Sequence, residues 1–184
     1  IADHIVVLYN GEIKEAGPVE TIINESEHPY TTRLMGAIRP RPEAGQGEIS
    51  NHEHMRDAPA LEAKAVDAGY GKGADGKPKT MVLRDVNVAI ERGKTVGIIG
   101  ESGCGKSTLA RVFAGLLPPS DGELKLDGEP IAPDLRQRSR EELRKVQFVY
   151  QMADTALNPR QRIKDIIGRP LEFYGGLTGE TKTK

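Results

Sequence analysis

The hydrophobic and polar positions along this chain predict two groups of elements separated by a stretch with almost no apolar periodicity. In the first group, two short apolar runs flank Asn10-Gly11 and predict a β-hairpin, because a type I′ turn needs positive φ at both central residues. Gly17-Pro18 ends the second strand, and the proline predicts a helix over residues 19–23, since proline fits the first helical turn. A further helix is predicted over residues 31–38.

The second group alternates strands and helices. Its predicted elements, in chain order, are a strand over residues 63–68 with Tyr70 just past its end, a flexible loop over 71–79, a strand over 81–90, an apolar strand over 95–99, a helix over 107–117, a strand over 123–127 and a helix that opens at the capping box of Ser139 and Glu142. The nearly all-apolar run over 95–99 is typical of a strand buried on both faces.

The residues between the two groups have the composition of a linker, with prolines and glycines among charged side chains. Acidic residues exceed basic ones over residues 1–61, and the balance reverses over 62–184. The first 40 residues hold too few elements to bury a core of their own. The sequence therefore predicts a division into residues 1–40, a linker over 41–61 and a separate domain over 62–184.

The overall composition narrows the classes of function. The 184 residues carry 26 basic and 27 acidic side chains, which argues against a nucleic-acid binder that works through bulk positive charge. No apolar run approaches the roughly 18 residues of a membrane-spanning helix, and a single cysteine excludes an internal disulfide and fits a reducing compartment. The chain begins with Ile1 and shows no targeting segment, so we expect its true N-terminus to lie upstream.

One motif, between the apolar run over 95–99 and the helix predicted over 107–117, indicates a binding site. Residues 100–107 match the phosphate-binding pattern G-x-x-x-x-G-K-[ST]. Its glycines let backbone N–H groups converge on an anion, and the new helix adds its own unpaired N–H groups and the positive end of its dipole. We expect Lys106 to meet the β- and γ-phosphates, the Ser107 hydroxyl to bind Mg²⁺, and Thr108 to reach the α-phosphate.

The motif thus predicts a nucleoside-triphosphate site. The residues predicted to line it are Gly100, Glu101, Ser102, Gly103, Cys104, Gly105, Lys106, Ser107 and Thr108.

The surroundings of the motif resemble the nucleotide-binding subunits of ABC transporters. The letters GESGCGKSTLAR and LNPR are most similar to the importers of di- and oligopeptides, glutathione and nickel. In the first segment, residues 1–18 resemble the stretch that follows the switch histidine of such a subunit, and His28-Pro29-Tyr30-Thr31 resembles the C-terminal extension of the peptide-importer group. The stretches that carry the resemblance are Tyr70, 100–109, 114–122, 146–151, 157–160 and the first segment.

The resemblance implies an α/β fold, a P-loop NTPase (ABC ATPase) core with an antiparallel β subdomain, incomplete here and preceded by the C-terminal tail of another such domain. Tyr70 would stack on adenine, the alternative being an aromatic side chain packed locally at a strand end. Gln151 would be the Q-loop glutamine that touches Mg²⁺ and the attacking water, the alternative being a solvent-facing loop residue. Met152-Ala153-Asp154 follows it where the family more often has Asp-Pro.

The function that the resemblance implies is an ATP- and Mg²⁺-binding ATPase subunit on the cytoplasmic side of the inner membrane, energising import of peptides or related solutes. Its partners would be transmembrane permease subunits, a second nucleotide-binding domain and, indirectly, a substrate-binding protein. We find no LSGGQ signature, no apolar strand ending in Asp-Glu and no switch histidine, so we expect the general base outside this chain and no turnover by the chain alone.

Two other functions stay open from the sequence. One is a soluble ABC-type ATPase of a metabolic complex, because C–P lyase accessory proteins are similar in this region. The other is a partly folded fragment that only binds nucleotide.

Three further patterns are interpreted as structural. Gly71 to Gly76 spells G-x-G-x-x-G, but Lys77-Pro78 follows instead of a helix. His52-Glu53-His54 lacks a third metal ligand at usable spacing. The basic stretch over 136–145 is interpreted as a solvated helix face.

Overall fold

The structure is a computed structural model that describes residues 2–37, 58–73, 76–150 and 157–176. In chain order its elements are β1 (His4–Tyr9), β2 (Glu12–Pro18), α1 (Val19–Asn24), α2 (Pro29–Ala37), β3 (Leu61–Lys72), β4 (Pro78–Ile90), β5 (Val96–Ile99), α3 (Lys106–Phe113), β6 (Asp121–Leu126), β7 (Glu129–Pro130), a 3₁₀ turn (Leu135–Gln137), α4 (Arg140–Lys145) and α5 (Ile163–Gly175). In these residues the strands form one sheet of order β2-β1-β5 and another of order β4-β3-β6-β7.

The predicted hairpin near the start of the chain is confirmed. Strands β1 and β2 pair antiparallel, and Asn10 and Gly11 adopt φ of 50° and 83°, the left-handed values that the turn needs. On its other side β1 pairs in parallel with β5, from His4 opposite Val96 to Val7 opposite Ile99. The first segment and the strand before the phosphate motif therefore share one sheet.

Strand β1 is buried on both faces. Successive side chains of a strand point to opposite sides of the sheet, so the side chains of β1 enter two different cores. Val6 and Leu8 enter the larger core with side chains from β3, β4 and α3. Ile5 and Val7 enter a smaller core that the helices α1 and α2 cover. The order of the sheet places β1 in its centre.

The prediction that residues 95–99 form a strand buried on both faces is wrong in part. The strand is present, but all four residues of β5 are only half-buried. In the part of the chain that the structure describes, β5 lies at the edge of its sheet with β1 on one side only.

Strands β3 and β4 are longer than predicted and pair antiparallel with several register shifts. At these irregular points side chains take over backbone hydrogen bonds, with Asn87 Oδ1 accepting from the Ala65 N–H at 2.8 Å and Asp67 Oδ1 accepting from the Asp85 N–H at 2.7 Å. The flexible loop predicted over 71–79 is correspondingly shorter, and Tyr70 lies inside β3 rather than past its end.

Helix α3 ends at Phe113, four residues earlier than predicted. Gly115 adopts a left-handed φ of 71°, and Arg138 donates a hydrogen bond to the last carbonyl oxygen of the helix. The Arg138 guanidinium is buried and donates to the carbonyl oxygens of Phe113 and Ala132, both at 2.8 Å. Burial lowers its pKa from the ordinary arginine value. The interpretation of the basic stretch as solvated is therefore wrong for Arg138.

Helix α4 opens as predicted. Ser139 Oγ accepts from the Glu142 N–H, and the Glu142 carboxylate accepts from the Ser139 N–H, which completes the capping box.

Among the described residues, the helices are too short or too polar to cross a membrane.

An ionic cluster joins the end of β6 to distant parts of the chain. Asp127, which adopts a left-handed φ of 55°, accepts a hydrogen bond from Arg92 and another from Lys145 Nζ at 3.1 Å. Burial alone would raise the pKa of the Asp127 carboxyl, but the cations Lys145 and Arg92 outweigh it and hold the pKa below the ordinary value.

We expect Asp127→Asn to lower the melting temperature by about 2–4 °C at pH 7, the equivalent of about 1 kcal/mol. Asparagine tolerates the left-handed φ, so the change removes charge and little else. Because the folded-state pKa lies below the unfolded one, the carboxylate stabilises the fold above the unfolded pKa, and this contribution disappears as the pH falls through the folded pKa. Thermal unfolding of the unaltered chain and of the variant between pH 7 and 3 measures this contribution. A difference in melting temperature that stays constant over this pH range would contradict the role of the cluster.

Candidate functional site

The phosphate motif connects β5 to α3. Gly100, Gly103 and Gly105 adopt positive φ of 152°, 84° and 111°. Gly105 is the residue before the first turn of α3, and no side chain of the described residues caps this helix. The first N–H groups of the helix, from Lys106 to Thr108, have no carbonyl one turn earlier to bind. A helix start of this kind can receive an anion.

Two of these glycines are required by close packing. A Cβ on Gly100 would lie 2.1 Å from the carbonyl oxygen of Leu8 and 2.7 Å from Cys104 Sγ. A Cβ on Gly105 would lie 2.8 Å from Leu83 Cδ2. The loop is therefore pressed between β1 and β4, and its shape depends on both strands.

Lys106 points into the loop and not away from it. Its Nζ donates to the carbonyl oxygens of Gly100 at 2.9 Å and Glu101 at 2.7 Å, and it lies 3.4 Å from Cys104 Sγ. Cys104 is buried, 4% exposed. The single positive charge of the motif thus lies beside the loop's own backbone carbonyl oxygens.

Ser107 and Thr108 differ in environment. The Ser107 side chain is exposed, whereas Thr108 is buried, and its Oγ1 lies 3.3 Å from the Tyr70 hydroxyl. Arg111, one turn further along α3, donates to the same hydroxyl at 3.1 Å. The structure thus brings Tyr70, at 39% exposed, against the helix that carries the motif.

The phenol of Tyr70 is electrostatically perturbed by this contact. Burial raises its pKa, but the hydrogen bonds from Thr108 and Arg111 outweigh burial, so the pKa lies below the ordinary tyrosine value.

Sequence reasoning missed Arg111. A signal existed, because residues three apart on a helix share a face and Thr108 belongs to the motif.

Gln151, and with it Met152-Ala153-Asp154, lies outside the described residues, as does His52-Glu53-His54. Within the described ranges, no group of three or more His, Cys, Asp or Glu side chains could hold a metal ion.

Sequence reasoning also missed two contacts from the first segment to the motif. The Tyr30 hydroxyl accepts a hydrogen bond from the Glu101 N–H at 3.0 Å. The Gly11 N–H donates to the carbonyl oxygen of Cys104 at 3.0 Å. No local sequence pattern predicts either contact, because the partners lie far apart in the chain; Tyr30 and Glu101 are 71 positions apart.

Comparisons with known proteins point to one family. The model of the ABC transporter family matches residues 83–182. The chain is 33% identical over 215 aligned residues to the glutathione import ATP-binding protein GsiA of Escherichia coli (strain K12), with 98% of this chain and 33% of GsiA covered. It is 43% identical over 107 residues to a peptide import ATP-binding protein of Brucella abortus (strain 2308), with 56% of this chain and 32% of that protein covered.

A solved dimeric ATP-binding cassette bound to ADP and Pi is 28% identical, with a TM-score of 0.49 over 66% of this chain and 52% of that one. The chain spans about a third of the length of the curated relatives it matches.

Gly100→Ala tests the packing of the motif. We expect it to destabilise the fold by about 3 kcal/mol, because the new Cβ would overlap a backbone carbonyl oxygen that has little room to move. The matched control is Gly93→Ala, at a φ of 74° with nothing within 4 Å of the new Cβ, for which the conformational cost is about 1 kcal/mol. Denaturant unfolding compares the two, and equal losses would contradict the packing argument.

Proposed function

Since this chain belongs to the ABC transporter family, as its motifs predict, we propose that its phosphate loop binds the triphosphate of ATP. One observation carries the proposal: the glycine conformations, the uncapped start of α3 and the Lys106 ammonium all occur within residues 100–108. The positive end of a helix, converging N–H groups and a lysine are together suited to bind a polyphosphate.

In this proposal Lys106 exchanges the carbonyl oxygens of Gly100 and Glu101 for oxygens of the β- and γ-phosphates. These are better partners for an ammonium group because they carry negative charge. The exposed face of Tyr70 offers adenine a stacking surface beside the loop, and the contacts from Thr108 and Arg111 fix its hydroxyl.

We propose that Mg²⁺ binds with the nucleotide and not in a cage of protein ligands. Mg²⁺ keeps several waters and takes phosphate oxygens together with one or two protein oxygens. The Ser107 hydroxyl, exposed in the first turn of α3, is one such oxygen, and Gln151 is proposed as the other. The donor set fits this mode, because the described residues offer no carboxylate cluster.

For the longer protein we propose ATP hydrolysis that energises import of peptides or related small solutes. The supporting observation is the similarity to import ATP-binding proteins, one named for glutathione and one for peptides. In this proposal the protein lies on the cytoplasmic side of the inner membrane, with permease subunits, a second nucleotide-binding domain and a substrate-binding protein as partners. Residues 1–40 end one nucleotide-binding domain, 41–61 link, and 62–184 begin the next.

Lys106→Ala tests the site. We expect the 184-residue chain to bind MgATP and the variant to bind at least about tenfold more weakly, because a charge-assisted contact to phosphate is lost. Lys164→Ala, which removes an exposed lysine of α5, is the matched control and should bind like the unaltered chain. Isothermal titration measures all three. Absence of binding at millimolar MgATP, or equal affinities for the two variants, would overturn the proposal.

Turnover by the isolated chain is a separate test. We expect no release of phosphate that depends on Lys106, because the sequence of the 184 residues contains neither an LSGGQ signature nor an Asp-Glu pair. A colorimetric phosphate assay on the unaltered chain and on Lys106→Ala decides this, and a clear difference between them would show that the chain holds its own general base.

A further inference from the structure

We propose that Tyr30 and Gly11 are positioning residues for the phosphate loop, so that nucleotide affinity at residues 100–108 depends on the segment 2–37. The hydrogen bonds Tyr30–Glu101 and Gly11–Cys104 are called the loop latch below. The inference rests on the proposed function of the loop, and it adds to that function a set of residues outside the phosphate motif.

The loop latch holds the loop on both sides of Gly103, which has open space around it. Tyr30 fixes the N–H of Glu101, the second residue of the loop, and Gly11 fixes the carbonyl of Cys104, the fifth. Between them lies Gly103, where a Cβ would meet nothing within 4 Å. The part of the loop with space around it is therefore anchored at both ends by another segment of the chain.

The latch also acts on the lysine. Glu101 offers its N–H to Tyr30 and its carbonyl oxygen to Lys106 Nζ, at 3.0 and 2.7 Å. Any movement of Glu101 that follows loss of the first hydrogen bond shifts a partner of the ammonium group. Loss of the Tyr30 hydroxyl also leaves the Glu101 N–H without its partner, which favours another backbone arrangement.

Tyr30 is itself held in place. Its side chain is 5% exposed, and its ring centroid lies 4.4 Å from that of Tyr9. Its N–H donates to His28 Nδ1 at 3.1 Å, and the Glu15 carboxylate accepts from the His28 N–H at 3.2 Å. The hydroxyl therefore meets Glu101 from a fixed direction, and little conformational entropy is lost on forming the bond.

Gly11 is held equally closely. Its carbonyl oxygen accepts from the Arg84 N–H at 2.9 Å, and a Cβ on it would lie 1.7 Å from the carbonyl oxygen of Val82. The turn thus fits between β4 and the loop, and only glycine fits there at a φ of 83°.

Tyr30→Phe tests the latch, because it removes the hydroxyl and keeps the buried ring. We expect MgATP affinity to fall by roughly threefold to tenfold, the worth of one neutral hydrogen bond. Hydrogen exchange in the nucleotide-free chain should accelerate at the Glu101 N–H and in the rest of the loop, with exchange in β3 and β4 unchanged. Tyr9→Phe is the matched control: its hydroxyl makes no hydrogen bond to another described residue, and it should match the unaltered chain in both measurements.

The outcomes separate the latch from the proposed function. Unchanged affinity in Tyr30→Phe, or faster exchange spread evenly over β3 and β4, overturns the latch, because the hydroxyl then supports at most the fold. If the unaltered chain binds no MgATP, the proposed function fails, and exchange at Glu101 decides the latch alone: faster exchange in Tyr30→Phe supports it, and unchanged exchange overturns it.

Discussion

Strand β1 pairs with β5 and fills a hydrophobic core on each of its faces, and the phosphate loop depends on this arrangement. The carbonyl oxygen of Leu8, in β1, lies where any side chain on Gly100 would have to be, while Leu83, in β4, occupies the corresponding space at Gly105. The loop therefore takes its shape from its neighbours as well as from its own glycines. A cradle for phosphate is useful only if its amides are fixed before the ligand arrives, and close packing achieves this.

The electrostatics of the site follow from the same packing. Helix α3 begins without a side-chain cap, and the N–H groups of its first turn and its dipole attract negative charge. Lys106 donates hydrogen bonds to two backbone carbonyl oxygens, so its ammonium group is already desolvated on one side. At the other end of α3, the buried guanidinium of Arg138 donates to the Phe113 carbonyl oxygen, which fixes the C-terminal end of the helix.

Local chemistry decided which features could be predicted from the sequence. The Asn10-Gly11 hairpin, the capping box of Ser139 and the phosphate motif each depend on residues within about eight positions, and the structure contains all three. The edge position of β5 and the burial of Arg138 depend on segments far apart in the chain. Composition reveals no such proximity, so the interpretation of β5 was wrong in part, that of Arg138 was wrong, and the Tyr30 contact was missed. The Arg111 contact was missed although its helical spacing from Thr108 was a signal.

The pairing of β1 with β5 also governs when this region can assemble. Asp3 accepts a hydrogen bond from the Thr95 N–H across 92 positions of sequence, whereas β3 and β4 are neighbours along the chain. Closing a long loop costs entropy before any contact rewards it, and topologies rich in distant pairings fold slowly. The strands of the β3–β4 ribbon have little chain between them, while the loop acquires its supports only once residues 2–37 have met the later part of the chain. We therefore expect the loop to become competent for the proposed nucleotide binding only late in folding.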